Sequence, residues 1–269
     1  MTAQFGARIE PRDPQQRTAD SRETARIAES SPRRLARIAG GLYLINIVGG
    51  FFAIGLVPAL LVVPGDAAAS AHNILANELL YRLGFVAHII ISLTNMPLAV
   101  IFYELFKVVN RRLALLVAFI TLVATAIECA SLVYQFAPLI FLEGGRSLSG
   151  LTAEQLQAQV SVSLELQVIG QQISFVFWGF YGLVLGYLVF RSRFLPRVIG
   201  VLLAIGGLSY LTYSLAYLIA PGFAAHLVPY IQLPSLVGEG SLCLWLLLVG
   251  VNVQRWQEQA SAVGVSSRT

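Results

Sequence analysis

Charge is what this sequence holds least of. Asp, Glu, Lys and Arg make up 12% of its 269 residues, where an ordinary soluble domain carries about a quarter. With 57% hydrophobic residues gathered in long runs, that shortage excludes a soluble globular domain and points to a bilayer. Cysteine is almost as scarce. Cys129 and Cys243 both fall inside apolar runs, which excludes a disulfide framework and reads as two buried thiols. The three histidines, His72, His88 and His226, include no two that lie one helical turn apart, and no His-Glu-x-x-His is present. A P-loop, a glycine-rich dinucleotide fingerprint, a Ser-His-Asp set and a redox cysteine pair are absent too. No metal, cofactor or catalytic residue is therefore expected, and the residues point away from an enzyme. The first thirty residues hold no apolar run, so no secretory signal is read there.

What is present is a set of six apolar segments, at roughly 36–60, 83–105, 113–140, 167–190, 197–219 and 234–253. Each is long enough for the roughly 20 residues that a helix needs to cross the hydrocarbon. The connecting pieces sort by charge. The N-terminal tail, "KVVNRR", "RSRFLPR" and the C-terminal tail hold 16 of the 18 basic residues, and the other side keeps only Arg82 and Arg146. Basic residues collect on the cytoplasmic side, so both termini are expected inside. This distribution also explains the formal net charge of +4 without a nucleic-acid partner. The expected organisation is an all-α multi-pass protein of the inner (plasma) membrane. Residues 1–31 form a disordered cytoplasmic tail, 32–254 the six-helix transmembrane domain and 255–269 a flexible cytoplasmic tail.

The outer connections carry helix signals. Asp66 stands before a run of helix formers as an N-cap. Thr152 followed by Gln155 has the spacing of a capping box. The third connection, "APGFAAHLVPYIQLP", has too many prolines for a regular helix. Gly182-x-x-x-Gly186 reads as a close-packing face. Asn46 and Asn95 read as amides tying helices together, and Glu104 with Lys107 as an i,i+3 pair.

The ordered set "RRLARIAGGLYLI", "VPGDAAASAHNILANELLYRLGF", "VNRRLALLVAF", "GYLVFRSRFLPRVIGVLLAIGG" and "VGEGSLCLWLLLVGVN" resembles the bacterial integral membrane proteins of domain-of-unknown-function family 4386 (DUF4386). The likeness covers about residues 33–252. It implies a six-helix membrane protein of bacterial type and supplies no catalytic residues. Such proteins often have a histidine in the fourth helix, where this chain reads "IGQQISFVFWG".

Polar residues in the apolar runs mark the candidate site, because a carboxylate at mid-membrane costs on the order of 2.5–3.5 kcal/mol on insertion scales. Counting about 1.5 Å per residue puts Glu239 and His88 about 7 Å below the outer boundary and Glu128 about 9 Å below it. Gln171 and Gln172 sit slightly higher. Five polar side chains on four helices are therefore expected in one outer-leaflet layer. Two readings of that layer are open: polar cross-links that hold the helices in register, or an outward-facing pocket for a small amphiphile. Two other functions stay open beside the pocket, a metal-assisted hydrolase acting on lipid and a non-catalytic membrane component acting through a partner. Membrane lipids are the expected surroundings in every case.

Overall fold

The structure, a computed structural model, describes residues 14–143 and 150–266, with side chains from 32 to 262. Helix α1 (Pro14–Gly50) continues through a π-helical stretch (Phe51–Leu56) into α2 (Val57–Leu61). After it come α3 (Ala67–Ala76), α4 (Glu78–Glu143), α5 (Ala153–Arg191) and α6 (Arg197–Ile219). Short α7 (Pro221–Leu227) leads through a 3-10 turn (Tyr230–Gln232) to α8 (Leu233–Leu248), and α9 (Val253–Ser266) closes the chain. Among the described residues there is no strand.

Five stretches are long and apolar enough to cross a membrane: Pro32–Leu61, Glu78–Glu143, Ala153–Arg191, Arg197–Ile219 and Tyr230–Leu248. The sequence expects six, and the difference lies in α4. Its 66 residues would measure about 100 Å as one rod, against a hydrocarbon core of about 30 Å. It is not one rod. Asn110 has φ −157° and ψ 107°, an extended conformation that breaks the helix. Its side-chain oxygen accepts from the Leu113 amide at 3.1 Å and caps the second limb. The two limbs then run antiparallel. The Tyr81 hydroxyl donates to the Gln135 carbonyl at 2.5 Å, and the Asn95 amide to Thr125 Oγ1 at 3.3 Å.

Large apolar side chains point outward along every long helix, among them Val48, Phe51, Val100, Phe119, Val133 and Leu208. In lipid such surface drives no association, so helices must meet through close packing and hydrogen bonds. Glycine supplies the close packing. A Cβ on Gly207 would stand 2.6 Å from the Gly179 carbonyl oxygen, and one on Gly186 would stand 2.7 Å from that of Gly200. Backbone therefore touches backbone along the α5–α6 seam. Gly182 and Gly186 both lie on it, as the sequence expects. Gly238 meets the Leu202 carbonyl oxygen in the same way and joins α8 to α6, while Gly40 meets the Leu247 amide and joins α1 to α8.

Two apolar clusters fill the bundle. One gathers Phe102, Phe106, Leu185, Leu188, Leu242 and Leu246 near the Asn110 turn. The other gathers Val57, Leu61, Ile74, Tyr81, Leu139 and Val160 at the opposite end, beneath α3. The connections there have the expected caps: Asp66 accepts from the Ala69 amide at 2.8 Å, and Thr152 and Gln155 form a reciprocal capping box. The proline-rich connection does hold a helix, α7, because Pro221 takes its first position, where a missing N–H costs nothing.

The tails differ from expectation as well. Residues 1–13 and 267–269 lie outside the described residues, as does Arg146; from Pro14 the backbone already follows α1. The C-terminal segment expected to be flexible from 255 is helical in α9. The Trp256 indole nitrogen donates to the Leu105 carbonyl at 3.0 Å, which docks the helix across the end of the bundle.

The α5–α6 seam sets a stability test. Gly207→Leu should lower the melting temperature in detergent by an amount reflecting about 1–3 kcal/mol of overpacking. Gly41→Leu should leave it unchanged, because a Cβ there meets nothing within 4 Å. Equal melting of the two variants would show that the seam does not hold the bundle together.

Candidate functional site

The polar residues of the first limb of α4 repeat at sevens. Tyr81, His88 and Asn95 share one face, as do Glu128 and Gln135 on the second limb. Folding the limbs together at Asn110 turns the two faces toward each other. His88 Nε2 lies 2.8 Å from Glu128 Oε1, and His88 Nδ1 lies 3.1 Å from Gln135 Oε1. The His88 and Glu128 side chains are only 1% and 4% exposed. Such burial requires that every polar atom find a partner.

The proton count follows from those contacts. An amide oxygen only accepts, so Nδ1 carries a hydrogen. Nε2 then either donates to a carboxylate or accepts from a carboxylic acid. In either form the pair carries no net charge. Neighbours fix the frame around it: Ser131 Oγ donates to the Glu128 carbonyl at 2.7 Å, and Ser174 Oγ on α5 donates to the Ala124 carbonyl at 2.9 Å.

Gln171 and Gln172, adjacent on α5, take separate partners. Gln172 Oε1 accepts from Ser214 Oγ on α6 at 3.1 Å. Gln171 Oε1 accepts from Gln167 at 3.5 Å, and its buried Nε2 has no partner among the described residues. Neither glutamine joins His88 or Glu128.

Glu239 stands apart from all four. It is half-buried on α8 and lines a cavity of about 10 Å³ with the rings of Tyr43, Trp178, Tyr181 and Tyr210. Gly182, Gly206, Gly207 and Ser235 complete the wall. Trp178 and Tyr181 meet edge to face with centroids 5.3 Å apart, a favoured arrangement. The ion pairs among the described residues join Arg82 to Glu78 and Glu143, His88 to Glu128, and Lys107 to Glu104. Glu239 is in none of them. The single polar layer read from the sequence is therefore two sites. One is a hydrogen-bonded His–Glu–Gln set between the limbs of α4. The other is the Glu239 carboxyl in a small cavity lined from α1, α5, α6 and α8.

Sequence reasoning overlooked Gln135, although it follows Glu128 by two helical turns and so had to share its face. No spacing signal in the sequence marks Tyr43, Tyr181 and Tyr210 as neighbours of Glu239. Among the described residues no three of His, Cys, Asp and Glu come together as metal ligands. His72 is exposed on α3, and His226 Nδ1 bonds the Gly222 carbonyl at 2.8 Å. Asn46 accepts from Thr94 Oγ1 at 3.2 Å and ties α1 to α4.

A family model described as Domain of unknown function (DUF4386) matches residues 38–250. No curated protein and no solved structure matches the chain.

The His88–Glu128 pair is open to a double-mutant cycle. His88→Leu strands a buried carboxyl and should cost about 3–5 kcal/mol. The double variant His88→Leu/Glu128→Leu should melt well above the temperature that adding the two single losses gives. Strict additivity of the melting shifts would mean that the two side chains do not interact.

Proposed function

Because the chain belongs to the DUF4386 family, whose description names no activity, we propose a function from the geometry: a six-crossing inner-membrane protein of bacterial type that binds or transports a small amphiphile, with the cationic end of the ligand at Glu239. Both termini face the cytoplasm in this reading. Its support is the pair of antiparallel limbs in α4, whose turn lies beside Lys107, Arg111 and Arg112, together with the basic residues at the same end of α1, α5, α6 and α9.

The observation that carries the ligand reading is a carboxyl group without a cation partner among the described residues, lining one small cavity with Tyr43, Trp178, Tyr181 and Tyr210. Ring faces attract cations by about 0.5–2 kcal/mol each, more as water is removed, and aromatic cages suit alkylated ammonium groups. A carboxylate in the same wall adds charge neutralisation that a neutral solute does not need. The apolar remainder of the ligand would lie along α8, where Leu236, Val237 and Leu244 face outward. The cavity of about 10 Å³ holds about one water, so this arrangement is the closed one. Entry requires α8 to shift. That helix has Pro234 in its first turn and Gly238 and Gly240 on either side of Glu239.

Native mass spectrometry of the detergent-purified chain with an alkyltrimethylammonium amphiphile tests the site, with metal content measured on the same sample. A defined adduct should form on the wild type and weaken at least about tenfold in Glu239→Gln, which corresponds to about 1.4 kcal/mol, with melting unchanged. Equal adducts on both proteins, or no adduct together with a lower melting temperature in the variant, would make Glu239 a packing residue and overturn the reading. For topology, a fluorescent protein fused after Thr269 should fluoresce, and alkaline phosphatase at the same place should stay inactive. The opposite pattern would put the C-terminus outside.

A further inference from the structure

An open cleft lies where α8 turns into α9. Three segments that are distant in sequence converge there: the Arg33–Arg37 stretch of α1, the α5–α6 turn and the α8–α9 turn. They bring Arg33, Arg34, Arg37, Arg193 and Arg255 around an open cleft of about 1130 Å³ that also has Trp245 in its wall. All five arginines are exposed. Among the residues whose side chains are described, no carboxylate lies within 4 Å of any of them.

Membrane orientation explains why each segment is basic, since each lies at the same end. It does not explain the convergence. The Asn110 turn, equally basic, shows the alternative: Lys107 pairs with Glu104, and Arg111 bonds the Tyr103 hydroxyl at 3.4 Å. Lys107 and Arg111 are thus partnered locally. In the cleft, among the residues whose side chains are described, one guanidinium hydrogen bond is satisfied by protein, from Arg255 Nη1 to the Arg193 carbonyl at 3.4 Å.

The backbone holds this arrangement in place. Gly250 takes φ +79°, open to glycine at little cost, and lets α8 reverse into α9. The stem of Arg33 packs on that turn, where a Cβ on Gly250 would come 3.2 Å from Arg33 Cγ. The Asn252 amide donates to the Phe194 carbonyl at 3.3 Å and the Arg193 amide to Gln259 Oε1 at 3.2 Å. Like charges fixed together repel unless an anion lies between them.

We infer that this cleft binds a phosphate ester. Guanidinium forks match phosphate oxygens in pairs, and arginines from three segments can reach one phosphate from several sides. The volume exceeds that of a phosphate alone, and the apolar lining from Ile38, Trp245 and Val249 suits the carbon part of the ester. A phospholipid headgroup of the adjoining leaflet and a water-soluble phosphate ester present the same chemistry. The site is independent of the Glu239 reading and stands or falls separately.

The test uses the full chain and two probes. One is phosphatidic acid retained through native mass spectrometry from mixed vesicles with phosphatidylcholine; the other is inorganic pyrophosphate followed by calorimetry. The cleft variant is Arg193→Gln/Arg255→Gln, and the control is Arg111→Gln/Arg112→Gln, which removes the same charge at the same end. Binding of either probe should weaken at least about tenfold in the cleft variant and stay within about twofold in the control. Loss for phosphatidic acid alone assigns a lipid headgroup, and loss for pyrophosphate alone assigns a soluble ester. Arg193→Lys/Arg255→Lys keeps charge and fold but removes the forks, and should still bind several-fold more weakly than wild type. Equal weakening in cleft variant and control, full retention in the lysine variant, or no binding of either probe to the wild type would overturn the inference.

Discussion

Contact between backbones at glycine is the constraint on which the rest of this bundle depends. In hydrocarbon, apolar side chains do not pull helices together, because lipid is as apolar as they are. Stability has to come from surfaces that fit closely, and Gly179, Gly186, Gly200 and Gly207 let α5 and α6 approach until carbonyl oxygens meet Cα atoms. The same device governs the site. Gly182, Gly206 and Gly207 line the cavity of Glu239, so the positions that bring the helices together also shape the space beside the carboxyl group. Gly238, one residue before Glu239, presses α8 onto α6 and fixes the height at which the carboxylate faces the rings.

The two polar centres answer the bilayer in opposite ways. His88 and Glu128 satisfy each other, with Gln135 holding the free ring nitrogen, and the set has no net charge and no need of anything further. Glu239 has aromatic rings and a small void instead of a cation. The first set ties the two limbs of α4 together; Glu239 has no ion-pair partner among the described residues.

Much of this was legible in the chain because the bilayer makes sequence and depth nearly proportional. The lengths of the spans follow from a rise of about 1.5 Å per residue, and the caps at Asp66 and Thr152 from side-chain oxygens at a fixed offset from the first free amides. Rotation about each axis and the choice of neighbours do not. Glu239 and Glu128 were rightly placed inside the apolar runs, yet nothing in their spacing shows that one faces Tyr210 and the other His88. The reach of α9 was hidden for a related reason: "VQRWQEQASAVG" is polar enough to read as tail, and only the carbonyl left at Leu105 gives Trp256 a place to dock. The convergence of arginines was illegible too, since each segment alone has an adequate explanation in topology.

The hairpin in α4 has a consequence for how the protein is made. Tyr81, His88, Glu128 and Gln135 all lie on its two limbs, so the ribosome has delivered the whole network before any of α5 exists. A nascent chain can hand both limbs to the insertion machinery as a zipped pair, imidazole and carboxyl already neutralising one another. Glu239 has no such companion. It arrives on the last long helix, after Tyr43, Trp178, Tyr181 and Tyr210 have been synthesised, so its neighbours from α1, α5 and α6 precede it in the chain.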